Sequence, residues 1–295
     1  MIRLSKVIEA IETLYPLSFA EEWDEPGLIV GDLNSQIQRI VCVSDPTISA
    51  VDRALSMGAN LLVTHHPLFF KAVHGVSNET VRGEIVQRLI SNNCALWVGH
   101  TNADVAWRGV AHAAAEYFGL HNLRPIVVSK QIDSAGRNIG LGRIGVLDVP
   151  ISLRDFAQNV FNVLPHTKVG VQVAGNLDAK VSTVAVLPGS GESLLDEVRK
   201  EKVDVYVTSD LRHHPALDAI ERAKYESKLR LSSGEDYIQH TYPMIINTSH
   251  SAIESLWFTY AINDIADCIE EMYGECPEVA WLGDCLLYTS DAADE

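Results

Sequence analysis

The apolar run Leu61-Leu62-Val63-Thr64 ends abruptly in two adjacent imidazoles, His65 and His66, followed by Pro67. Three further metal-type ligands occupy matching settings. Asp104 lies in His100-Thr101-Asn102-Ala103-Asp104, just past the apolar run Ala95–Val98, and His250 and Glu254 follow the run Met244–Asn247. Each cluster falls where a strand should stop, and open α/β sheets bind ligands in the crevice beyond the carboxyl ends of their strands. Adjacent residues on an extended chain point to opposite sides, so His65 and His66 are expected to serve two neighbouring ions. Imidazoles with carboxylates and no thiolate suit zinc, iron, nickel or manganese. The expectation is a site for two divalent metal ions per chain.

Other groups weigh less on their own. His250 and Glu254 are four residues apart and share one face of a helix start, yet such a pair alone reads as helix surface. His213 and His214 follow Asp210, expected to cap a helix, and read as residues lining a site rather than as direct ligands. Pro188-Gly189-Ser190-Gly191-Glu192-Ser193 joins a strand to a helix, as a phosphate-binding turn does. It lacks both the dinucleotide fingerprint and the Walker lysine, so a tight turn with Ser193 as N-cap is the expected role. Trp23-Asp24 with Gly27-Leu28 reads either as a structural loop or as the lip of a pocket.

The elements that must hold these residues follow from periodicity. Leu4, Val7, Ile8, Ile11 and Leu14 mark a first helix closed by Pro16. Strands are expected at Arg39–Ser44, Asn60–Val63 and Ala95–Val98, with helices around Ile48–Leu55, Glu79–Ser91 and Gly109–Phe118 between and after them. This alternation predicts a largely parallel sheet covered by helices. The polar stretch Ser129–Gly142 is the expected boundary. Beyond it come strands at Arg143–Leu147, Val169–Ala174, Thr183–Leu187 and Val203–Val207, helices at Leu153–Val163 and Ser193–Lys200, then strand Met244–Asn247 and helix Ser251–Met272. The fold class is therefore α/β, with two similar halves whose mixed or parallel sheets face each other across the metal site. The divisions are 1–128, 129–235 and a returning strand and helix at 236–284. A faint echo links Ala59–Pro67, ending His65-His66-Pro67, with Val203–Thr208 and the nearby His213-His214-Pro215.

Residues 285–295, Cys-Leu-Leu-Tyr-Thr-Ser-Asp-Ala-Ala-Asp-Glu, read as a translated library adapter, so the natural C-terminus is expected to be missing. The chain has 295 residues, 47% apolar and 21% charged, as in an ordinary globular protein. No apolar run approaches the ~20 residues that span a bilayer, and the first residues do not form a signal peptide. Five scattered cysteines without a Cys-x-x-Cys point to a reducing cytoplasm. A formal charge of −16 argues against nucleic acid, whose non-specific affinity rests on Lys and Arg. It leaves room for a nucleotide held at a metal.

Taken together, Glu22-Trp23-Asp24-x-x-Gly27-Leu28-x-x-Gly31-Asp32, Thr64-His65-His66-Pro67-Leu68, His100-Thr101-Asn102-x-Asp104 and His250-x-x-x-Glu254 occur in one order. That combination resembles the NGG-one-interacting factor three-like family of dinuclear metal proteins, also labelled type 2 GTP cyclohydrolase I-like. The resemblance covers roughly residues 4–260. Thr208–Pro215 is similar to a further family segment, with Ser209 in place of the usual small residue. The resemblance implies His65, His66, Asp104, His250 and Glu254 as direct ligands. His66 and Asp104 would hold one ion, His65 and His250 the other, and Glu254 would bridge. It places His100 close by and implies a toroidal homohexamer.

Two functions stay open. One is a metal-dependent hydrolase acting on a nucleotide, with cyclohydrolase chemistry, or on a phosphoester, in which His100, His213 or His214 moves a proton. The other is a non-catalytic metal-binding or metal-trafficking protein that acts through partners.

Overall fold

The computed structural model describes residues 1–232 and 243–283. The adapter-like tail 285–295, residues 236–242 and residue 284 lie outside the described residues. In chain order the first elements are β1 (Ile2–Arg3), α1 (Leu4–Leu14), β2 (Gly27–Val30), β3 (Gln36–Ile37) and β4 (Arg39–Val43). Next come α2 (Ile48–Ser56), β5 (Leu61–Thr64), α3 (Val81–Ser91), β6 (Ala95–Val98) and α4 (Thr101–Val105). The middle of the chain carries α5 (Val110–Tyr117), β7 (His121–Arg124), β8 (Val127–Ile132), β9 (Asn138–Leu141), β10 (Arg143–Ser152) and α6 (Leu153–Val163). After these come β11 (Gln172–Ala174), β12 (Lys180–Ser190), α7 (Leu195–Glu201), β13 (Val205–Ser209) and α8 (His213–Ser232). Last are β14 (Met244–Thr248), α9 (His250–Glu254), α10 (Phe258–Tyr273) and β15 (Glu278–Trp281). The class is α/β, as expected, and the chain divides into two compact units.

The first unit comprises Met1–Gly109 and residues 257–283. Its main sheet has the order β15-β4-β5-β6-β2. The first four strands run parallel and β2 is antiparallel to β6. Strands β5 and β6 are buried at every residue, the pattern of parallel strands covered on both faces. Val41, Val43, Leu62, Leu96 and Val98 pack with Ala50, Val51 and Ala54 of α2 and Ile85, Val86 and Leu89 of α3. Helix α10 packs on α1, β4 and β15. Thr47 and Thr80 cap α2 and α3 through their hydroxyls, and Gly58, at φ +81°, takes the left-handed turn after α2. Burial pushes the Cys42 and Cys94 thiols up to about 12, so both sit as inert core residues.

The second unit, Val110–Leu256, holds a six-stranded sheet of order β11-β14-β13-β12-β10-β7. Only β12, β13 and β14 are mutually parallel. Strands β11, β10 and β7 pair antiparallel, so this sheet is mixed, within the mixed or parallel expectation. One face packs Phe156 and Val160 of α6 and Ile253 of α9 against Val184, Val186, Val205, Val207 and Ile246. The other packs Leu194 and Val198 against Ala185, Leu187 and Tyr206. The polar stretch Ser129–Gly142, read from sequence as a boundary, contributes most of the β8–β9 hairpin inside this unit. Its polarity follows from solvent exposure, since β8 is exposed at five of its six residues.

Among the described residues no helix is long and apolar enough to cross a membrane. Cys42, Cys94, Cys268 and Cys276 are free thiols.

Gly99, just beyond β6, links fold to site. A Cβ there would lie 2.6 Å from the Trp97 ring and 3.1 Å from that of Trp257. Gly99→Ala should therefore overpack the first unit and cost about 1–3 kcal/mol. The urea midpoint should fall without a change in slope, and an unmoved midpoint would contradict the close packing.

Candidate metal centre

In the first unit every candidate ligand lies beyond the carboxyl end of a parallel strand. Strand β5 runs on one residue, with His66 N–H donating to the Ser44 carbonyl (2.9 Å), and then bends. The bend overturns the expectation that His65 and His66 point to opposite sides. Strand alternation stops at Thr64, and the two rings lie 5.1 Å apart. His65 is 1% exposed. Its Nδ1 lies 2.8 Å from the Gly99 carbonyl, which can only accept, so Nδ1 carries the proton and Nε2 presents its lone pair. That Nε2 lies 3.8 Å from Asp104 Oδ1. The Trp257 ring meets His65 edge-on at 5.6 Å and donates its own N–H to the Tyr15 hydroxyl (3.1 Å).

His66 is fixed in the same manner. Its Nδ1 lies 2.8 Å from Oδ1 of Asp45, two residues past the end of β4. Asp104 stands in α4, whose first turn is organised by Asn102. The buried Asn102 side chain accepts from His100 N–H (2.9 Å) and donates to the Tyr15 carbonyl (2.8 Å). His100 Nδ1 lies 3.0 Å from Asp24 Oδ2, and its ring centroid lies 5.5 Å from His65 and 6.1 Å from His66.

In the second unit, α9 opens on His250 and closes on Glu254. His250 Nδ1 lies 2.6 Å from Asp210 Oδ2, and Nε2 lies 3.0 Å from Glu254 Oε1. Glu254 is 3% exposed. Asp210 sits just past β13 at φ +54°. It serves His250 and is not the helix cap expected from sequence. Gly189 completes the arrangement, because a Cβ there would lie 2.6 Å from Glu254 Oε1 and its φ is +76°. Pro188–Ser190 belong to β12, and Ser193 lies inside a 3-10 turn that opens on Gly191. The expected N-cap at Ser193 is therefore not formed. His213 and His214 open α8 on the exposed surface, their rings 5.2 Å apart.

The donor set fits a divalent metal. Three imidazoles hold Nδ1–H against an oxygen, which is how metal-bound histidines are usually oriented. In two of them Nε2 faces a carboxylate, and that pairing is attractive only with a cation, proton or metal, between the two atoms. Asp45 and Gly99, which hold His66 and His65, were not singled out from sequence, whereas Asp24 was read as a loop or pocket lip and Asp210 as a cap. The available signal was position, since each aspartate or glycine follows a strand or turn by one or two residues.

Asp24 carries the clearest electrostatic signature. Burial alone would raise its carboxyl, but hydrogen bonds from His100 and Thr101 outweigh burial and lower it from 3.8 to about 2. A depressed folded value contributes stability that is present above the unfolded value and lost as pH falls through the folded one. Wild type should therefore be more stable than Asp24→Asn at neutral pH, and the gap should narrow between about pH 4 and pH 2. A gap independent of pH in acid denaturation would refute this.

The family model described as Duf34/NIF3 (NGG1p interacting factor 3) matches residues 2–227. A Streptomyces coelicolor protein named GTP cyclohydrolase 1 type 2 homolog is 45% identical over 219 residues, covering 74% of this chain and 76% of that protein. A Bacillus cereus protein related to NIF3 superposes with a TM-score of 0.81 at 22% identity, over 96% of this chain and 97% of the other. A Staphylococcus aureus hypothetical protein gives 0.80 at 23% identity, over 98% and 99%. At such identity the two structures speak for the fold, whereas the family match rests on sequence over most of the chain. The chain belongs to the Duf34/NIF3 family.

Proposed function

We propose that the chain is a divalent-metal protein in which His65, His66 and Glu254 hold an ion together, and that Asp104 and His250 extend the centre to two ions. The observation that carries it is the common tethering of His65, His66 and His250 through Nδ1, which turns each Nε2 into a ligand atom. Bound divalent metal supplies Lewis acidity and lowers the pKa of water. The chain's own residues do the rest. Asp104 and Glu254 balance positive charge, Gly189 leaves room for the Glu254 carboxylate, and Asp24 holds His100 so that its Nε2 can take or give a proton.

The reaction we propose is metal-dependent hydrolysis of a nucleotide, at a ring carbon or at a phosphoester. The relatives' name, GTP cyclohydrolase 1 type 2 homolog, supports the first of these. His213 and His214 take no part in the proton transfer proposed here, because they are exposed on α8. The working form is taken to be a homohexamer in the reducing cytoplasm, in keeping with the resemblance and the free thiols. Light scattering reads that assembly directly.

Two outcomes test the reading. Asp210→Ala should weaken metal binding about 10–100-fold, the usual effect of losing a ligand's supporting hydrogen bond. Chelator competition measures it, and an unchanged affinity would contradict the role of Asp210. Metal-loaded protein should turn over at least one substrate in a panel of nucleotides and phosphoesters. Glu254→Gln should abolish that turnover, and His100→Ala should slow it roughly 10²–10⁴-fold at constant metal content. A fully loaded protein inert across the panel would instead indicate a metal carrier.

A further inference from the structure

We propose that Trp23 and Phe70 form a clamp for a flat, phosphate-free heteroaromatic ring beside His100. The proposal rests on the hydrolase reading and narrows it, since it assigns the base end of a nucleotide, and not its phosphates, to this place.

Trp23 is 65% exposed and Phe70 is 60% exposed. Both lean on the same imidazole, that of His100, at centroid distances of 5.8 and 6.0 Å and interplanar angles of 81° and 86°. An edge-on contact with one small ring covers little of an indole or a phenyl group, so most of each aromatic surface stays in water. A stacked ligand would remove that surface from water and add ring–ring attraction. The two side chains come from separate loops and each contacts the same polar imidazole edge-on, a mixed surface that suits a small heteroaromatic ligand better than an apolar protein face. His100 adjoins His65 and His66 at the carboxyl ends of β5 and β6, where α/β sheets receive small ligands.

The platform is also held in place before any ligand arrives. Asp24, next to Trp23, accepts from His100 Nδ1, Thr101 N–H and Thr101 Oγ1–H on one oxygen. Glu21 N–H donates to the same Thr101 hydroxyl (3.0 Å). The turn carrying the exposed indole is thus pinned to the start of α4, and ordering it costs a ligand little. Its charge selects the ligand. Glu21, Glu22, Asp24 and Glu25 flank Trp23 in the sequence, against Lys71 next to Phe70, and this acidic balance favours a neutral or cationic ring over a phosphate group.

Guanosine and ribose are the probes, titrated into the metal-loaded full chain by calorimetry. Guanosine should bind and ribose should not. Trp23→Ala and Phe70→Ala should each weaken guanosine on the order of tenfold or more, as expected for loss of one stacking partner. Trp23→Phe should keep most of the affinity. Unchanged affinity in both alanine variants, equal binding of ribose, or no guanosine binding would overturn the clamp. So would alanine variants that break up the assembly while guanosine affinity holds, since that marks the rings as a subunit contact. Metal content is read separately on each sample. Guanosine binding that follows the aromatic variants in a chain unable to hold metal would refute the metal reading and leave the clamp standing.

Discussion

An imidazole offers a chosen nitrogen in a fixed direction when the proton on the other is held by a fixed acceptor, and the candidate ligands here share that constraint. The acceptors for His65 and His66 are the Gly99 carbonyl and Asp45, and the acceptor for His250 is Asp210. Each follows a neighbouring parallel strand, so strand register decides whether it falls beside its ring. Val43 pairs with Thr64 and Thr64 with Val98 in one sheet, and Ser209 pairs with Thr248 in the other. A slip of one residue would carry the acceptors away and turn buried side chains outward. The continuous apolar strands that fix the register therefore also fix the tautomers.

The carboxylates impose a second condition. Asp104 lies 3.8 Å from His65 Nε2 and Glu254 lies 3.0 Å from His250 Nε2. With Nδ1 carrying the proton, a neutral ring would set a lone pair against a negative oxygen, and Glu254 is buried. Burying a charge is costly unless it is paired. A cation beside each carboxylate would resolve both.

Much of this was legible in the sequence because strand ends are. The runs at 61–64, 95–98 and 244–247 are apolar and short, and the candidate ligands His65, Asp104 and His250 come soon after their ends. The acceptors were harder to see. Asp45 and Asp210 lie 21 and 40 residues from the rings they hold, and an isolated aspartate after a strand reads equally well as a turn or a cap. The His213-His214-Pro215 echo falls at a different place in the second unit. Strand β13 does repeat the pattern of β5, but the residue placed just past its end is Asp210, and the histidines fall on the outside of α8. Strands β2 and β15 were missed because one opens on Gly27 and the other on Glu278, so neither stands out as a wholly apolar run.

The account makes one claim that can be read atom by atom. In protein labelled with 15N at histidine, zinc titration should shift the Nε2 resonances of His65, His66 and His250. Their Nδ1 resonances should remain those of protonated nitrogens bonded to oxygen. A metal-induced shift at Nδ1, or no change at any of the three rings at saturating zinc, would contradict the arrangement described.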